Sequence, residues 1–319
     1  MSQPHWVRYT IYIGLAESEE DSEKAKEAKK EAAEAKMEIS DKAPTIQGLE
    51  SKDEEEEETY AKYFKIFNYE HGVKLLSIDI SKDTELLEEY TENAKKALET
   101  SKNEDSLEYD DEGNIIAKSK NEYIEGLYRN NVVNYLLVPE DYEVPAGLDK
   151  EYIIIQVPSK KSFVASNEAI ALMEELGCLD SISLLGIDEE EIESDKVKDA
   201  VEKEDITLAG NLEKPNYAKV IKDKSDLSIL PGSLLPEEIK KDAKDKEKLA
   251  KEAAAKKEEL EKLESRFTAL EVPVIIDRSV QEEDEIAKAE WIKVYGALFG
   301  MEDEAEKIFE EVLKEADKK

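Results

Sequence analysis

The chain has 319 residues, 40% hydrophobic and 39% charged, with 45 Lys and Arg against 80 Asp and Glu, for a net charge of −35. Length and apolar content allow one large or two ordinary domains with a real core. The charge argues against a nucleic-acid partner, which needs a basic patch, and against adsorption to an anionic membrane.

At the N-terminus, the apolar run Val7–Ala16 is too short for an export signal and is followed by Glu17 and Ser18 rather than a lipid-accepting cysteine. No segment approaches the roughly 18 apolar residues of a membrane span. Residues 17–59 are rich in Glu, Lys and Ala and end in the acid run DEEEEE. The stretch EKAKEAKKEAAEAK has almost no large apolar residue, and residues 1–59 are expected to be an acidic helical or disordered segment. Ordered structure is expected from Tyr60. YFKIFNY and VKLLSIDI alternate apolar and polar residues around EHG, which predicts a β-hairpin with His71 in its turn.

Residues 81–128 read as an insertion, with a helix at TELLEEYTENAKKALE and a small hairpin at DDEGNIIAK. NYLLVP and YIIIQVP are strands closed by prolines. From Lys161 the pattern becomes strand–helix: SFVAS, NEAIALMEELGCLD, SISLLG, DKVKDAVEK, ITLAG, NYAKVIKDK, DLSIL and finally VPVIID. Short apolar strands separated by helices predict an α/β lobe with a parallel βαβ sheet flanked by helices, and ligands of such sheets sit beyond the carboxyl ends of the strands. Residues 237–266 form a low-complexity Ala/Lys/Glu stretch with a thin apolar stripe, expected as a long, projecting, mostly solvated helical insertion. In the closing stretch, Trp291, Tyr295, Leu298 and Phe299 share one helical face, and Ala305, Ile308, Phe309, Val312 and Leu313 another. This predicts two helices broken at Gly300.

Cys178 is the one cysteine, so no intramolecular disulfide or thiolate metal site is available. His5 and His71 are far apart, and HExxH, P-loop, GxGxxG and GxSxG motifs are all missing. No enzyme, cofactor or metal is therefore expected. By position, the mouth of the sheet would be lined by Ser166, Asn167, Asn211, Ser233, Arg278 and Ser279, with Trp291 nearby. Arg278 would offer a planar donor fork to an anionic oxygen, or else pair with a surface acid. Ser166 and Asn167 would bind ligand or serve as helix caps. Trp291 and Tyr295 would stack on a flat ligand or fill the core.

Several of these segments in the same order carry a resemblance. YFKIFNYEHGVKLLSIDI, VPSKKSFVASNEAIALMEELGCLDSI, NLEKPNYAKVIKDKSDLSIL and AEWIKVYGALFGMEDEAEKIFEEV resemble substrate-binding proteins of iron-siderophore, haem and cobalamin ABC importers, over about residues 60–235 and 268–316. The resemblance implies two α/β lobes joined by a long helix, of which this chain would hold a first lobe (60–300) and, at 301–319, the start of the inter-lobe helix. It further implies a non-catalytic protein that binds a metal chelate or macrocycle outside the cytoplasm and presents it to an ABC permease. The departures are QEEDEIAKAEW without His, Pro or Arg, Ala169 where relatives often have a His, and PGSLLPEE in place of a Met/His-bearing loop. They leave open a second reading: an acidic interaction or scaffold protein that keeps the lobe without a working ligand site.

Overall fold

The structure, a computed structural model, describes residues 39–53, 59–81, 108–109, 115–116, 128, 131–144, 152–236 and 245–318. Of the expected N-terminal segment, residues up to 38 and 54–58 lie outside the described residues, as does the helix at TELLEEYTENAKKALE; order does not wait for Tyr60, because residues 39–53 bury Ile46 and Leu49.

Two sheets share one hydrophobic core. The first has the order β1 (Phe64–Asn68), β2 (Lys74–Asp79), β5 (Val132–Pro139), β6 (Ile153–Val157), with β3 (Glu108–Tyr109) and β4 (Ile115–Ile116) forming a separate two-residue antiparallel pair at the expected small hairpin. β1 and β2 are the expected antiparallel hairpin, turned through Glu70–Gly72 with His71 at φ 60°. β5 runs antiparallel to β2 and parallel to β6. The outer face of this sheet is covered by the segment preceding β1: Ile46 and Leu49 pack on Phe67, Tyr69, Leu75, Leu136 and Val138.

The second sheet is entirely parallel, in the order β11 (Val274–Asp277), β10 (Leu227–Pro231), β7 (Ser162–Val164), β8 (Ile182–Leu185), β9 (Thr207–Leu208). Strands β7 and β11 are buried at every residue, the mark of a parallel strand covered on both faces. The connecting helices are α1 (Asn167–Leu176), α2 (Asp195–Glu202), α3 (Tyr217–Asp223) and α4 (Lys246–Ala269). The parallel α/β architecture expected from the sequence is present.

The two sheets meet at the β11 edge, whose backbone would otherwise be unpaired. The Tyr135 hydroxyl donates to the Val274 carbonyl (2.6 Å), and the Val274 amide donates to the Tyr128 hydroxyl (2.6 Å). Burial pushes both phenols far above their ordinary value.

The long helix α4 divides into two halves. Leu249 near its start is exposed, whereas Leu260, Leu263 and Phe267 are buried, with the Phe267 ring 5.0 Å from Phe163 of β7. Its C-terminal half is therefore a crossover helix of the parallel sheet. The thin apolar stripe is concentrated where it packs.

The chain closes with α5 (Glu285–Glu290), α6 (Ile292–Phe299) and α7 (Glu302–Ala316). The break at Gly300 is as expected. Gly300 adopts φ +68°, and a side chain there would meet the Pro158 ring at 3.3 Å. No helix among the described residues is long and apolar enough to cross a membrane.

Candidate functional site

β7 is central. The chain passes from it outward through β8 and β9, then returns to the other side of β7 for β10 and β11. The connections after β7 and after β10 therefore leave in opposite directions. Such a reversal of strand order, at the carboxyl ends of the two strands, is where open parallel sheets bind ligands.

One lip follows β7, β8 and β9. Ser166 caps α1: its hydroxyl accepts the Ala169 amide (3.1 Å) and donates to Glu168 Oε2 (2.9 Å). Asn167 ties this lip to the segment after β8. Its Nδ2 donates to the Glu191 carbonyl (2.9 Å) and its Oδ1 accepts the Glu193 amide (3.2 Å). Asn211, after β9, donates to Asp188 Oδ2 (2.8 Å) and accepts the Lys214 amide (3.1 Å).

The other lip follows β10 and β11. Gly232 lies so close to β11 that a Cβ would sit 2.5 Å from the Asp277 carbonyl oxygen, so only glycine fits. Gln281 Nε2 donates to the Gly232 carbonyl (3.0 Å), and Arg278 Nε donates to Gln281 Oε1 (2.5 Å). Arg278 Nη1 reaches back to the Asp79 carbonyl at the end of β2 (2.6 Å), and the guanidinium lies 3.6 Å over the Tyr63 ring. Burial lowers the arginine's proton affinity, against which the nearby Asp79 carboxylate acts. The buried Asp277 carboxylate accepts the Ser279 amide (2.7 Å) and the Tyr295 hydroxyl; desolvation pushes its proton affinity up despite those bonds.

Of the residues singled out from the sequence, the fold brings Ser166, Asn167, Asn211, Ser233, Arg278 and Ser279 to the carboxyl ends of the parallel strands. Ser233 and Glu168 are exposed there, with Val280 beside them 49% exposed. Arg278 and Ser279 are buried, and Nε and Nη1 of Arg278 donate within the protein. Trp291 is fully buried: its indole N–H donates to Glu282 Oε1 (3.0 Å), and its ring sits edge-on to Phe64.

Sequence reasoning missed two buried carboxylates that hold the entry to β1. Glu290 Oε2 accepts the amides of Tyr60 (2.8 Å) and Ala61 (2.7 Å), and Glu282 accepts those of Lys62 and Tyr63. Burial raises the proton affinity of Glu290, against which its bonds to Ala61 and Tyr60 act. A signal was available, since Glu290 shares a helical face with Ala287, Trp291 and Val294 and so had to be buried. Among the described residues no group of three or more His, Cys, Asp or Glu side chains could hold a metal ion.

No family model matches the chain. A curated relative, an uncharacterized lipoprotein of Methanocaldococcus jannaschii, is 25% identical over 236 residues, covering 69% of this chain and 50% of the relative; the chain thus spans about half the length of that protein. Solved structures similar to parts of the chain include a periplasmic vitamin B12-binding protein of Vibrio cholerae (18% identity, TM-score 0.30, 50% of this chain and 49% of that one). Others are an Fe3+-hydroxamate transport protein of Saccharomonospora viridis (16%, 0.30, 49% and 48%) and a periplasmic heme-binding protein of Pseudomonas aeruginosa (11%, 0.29, 49% and 43%).

Proposed function

We propose that this chain is a non-catalytic solute-binding lobe that captures an iron complex, haem or a cobalamin-like ligand at the carboxyl ends of its parallel strands and presents it to an ABC permease. The observation that supports the reading is the reversal of strand order between β7 and β10, with the segments that leave the two strands each braced by hydrogen bonds of their own. The ligand class comes from the sequence resemblance of the segments at 60–235 and 268–316. An extracytoplasmic location is supported by the description of the archaeal relative as a lipoprotein.

In this reading Ser166, Asn167, Asn211 and Ser233 form the contact surface. Arg278 and Ser279 hold the β11 lip in place from behind, and Trp291 anchors the closing helices. Ligand capture is then recognition by a preformed surface, because the lips are fixed by bonds made without ligand. A second surface facing the crevice would complete enclosure of the ligand.

One observation favours the alternative of an interaction or scaffold protein. Asn167 and Asn211 spend both ends of their amides on the protein itself, and Arg278 spends Nε and Nη1. Thermal melts with ferric hydroxamates, haem and cobalamin separate the two. A native-state ligand raises the melting temperature with the logarithm of its concentration above Kd, and a cooperative melt unmoved by all three classes supports the scaffold reading.

A further inference from the structure

Beneath α4, on the sheet face away from any role in the crevice, two buried hydroxyls stand out. Among the described residues, Ser228 Oγ and Thr268 Oγ1 are buried and make no hydrogen bond within the protein. Ser228 is fully buried on β10, in register with Phe163 of β7 and Val274 of β11. Residues paired across neighbouring strands project to the same face, so these three side chains share one. That face is the one α4 covers, since Phe163 packs on Phe267. Thr268 follows Phe267, and Glu264 lies four residues earlier, on the same side of the helix as Thr268.

The same seam holds more oxygen. The Tyr128 and Tyr135 hydroxyls meet the backbone of Val274, and the charge of Glu264 adds to burial in raising both phenols. Ser228, Thr268, Glu264, Tyr128 and Tyr135 are each 3% exposed or less. A hydroxyl buried without a partner costs free energy that an apolar side chain would not. Two of them in one polar seam point to a shared partner, and an internal water takes about three hydrogen bonds from such groups.

We propose that the seam between α4 and β10 binds an internal water molecule, held by Ser228 Oγ and Thr268 Oγ1, with the Glu264 carboxylate as the third oxygen. The water does what the apolar stripe of α4 cannot. Leu260, Leu263 and Phe267 attach the helix to the sheet without direction, whereas a bridged hydrogen bond fixes its rotation and register. This site is independent of the proposed ligand crevice.

The test uses the whole chain and the variants Ser228→Ala, Thr268→Val, the double variant and Thr268→Ser. Long-lived internal waters are counted by oxygen-17 magnetic relaxation dispersion, alongside thermal melts. The expected result is one long-lived water fewer in Thr268→Val than in the parent. Each truncation should lower the melting temperature, and the double variant should melt no lower than the worse single one, because one water is lost in every case. Thr268→Ser, which keeps the hydroxyl but loses a buried methyl, should retain the water and lower the melt only by the lost apolar contact. Truncations that leave the water count and the melting temperature unchanged would overturn the proposal. So would losses that simply add, or a melting temperature raised by sodium or potassium over choline at equal ionic strength, which would assign the seam to a cation.

Discussion

Replacing Arg278 separates a structural brace from a ligand donor. The structure gives its guanidinium three tasks: a charged hydrogen bond to the Asp79 carbonyl, a bond to Gln281, and a cation–π contact with Tyr63. A hydrogen bond from a charged donor contributes about 1.5–3 kcal/mol, and a desolvated cation–π contact about 2 kcal/mol. These terms share one side chain and do not add fully, so Arg278→Ala should destabilise the protein by about 3–4 kcal/mol. Arg278→Lys keeps the charge but loses the planar stack and the second donor, and should cost roughly half as much. Urea unfolding followed by tryptophan fluorescence measures both. A variant as stable as the parent that has lost affinity for a chelate would refute the brace and make Arg278 a ligand contact.

Four further outcomes follow from the same geometry. Glu290→Ala strands the amides of Tyr60 and Ala61 and should cost about 2–3 kcal/mol in urea unfolding, with Glu290→Gln recovering part through its remaining acceptor. The pH dependence of Glu290 has a definite sign. Its folded-state proton affinity is raised, so between the ordinary carboxylate range and that higher value the folded state holds the extra proton, and stability falls as pH rises. The stability of the parent relative to Glu290→Gln, which cannot titrate there, should be greatest at the acid end of that window and fall towards neutral pH; a flat difference contradicts the assignment. Phe267→Ala should destabilise by about 3–5 kcal/mol and Leu249→Ala by less than about 0.5 kcal/mol, and equal effects would contradict the division of α4 into packed and solvated halves. The Cys178 thiol, pushed up to about 12 by burial, should react with a thiol reagent at pH 8 only after denaturation.

Much of the fold was legible because its signals are local and periodic. SFVAS, SISLLG, ITLAG, DLSIL and VPVIID are apolar runs bounded by helices with caps, and each became a parallel strand. The break at Gly300 was readable because the apolar face changes there. Strand position was also readable, so Ser166, Asn167, Asn211 and Ser233 follow the carboxyl ends of parallel strands, as expected. What could not be read was which polar groups the protein consumes itself. The partners of Arg278 are distant in sequence: Asp79 is 199 positions away, and Gln281 binds it through a loop set by Gly232. The carboxylates of Glu282 and Glu290 likewise serve amides more than 200 positions away. In a chain with 80 acidic residues, composition gives no reason to single out these two.

Hydrogen exchange of the backbone amides, measured with and without the tightest-binding chelate or macrocycle, tests the proposed site most directly. Added protection is expected in the segments that leave the carboxyl ends of β7, β8, β9 and β10, centred on Ser166–Glu168, Asp188, Asn211 and Ser233, with α4 and the β1–β2 hairpin unchanged. Protection centred on α4 or the hairpin, or a bound ligand that leaves those four segments exchanging as before, would contradict it.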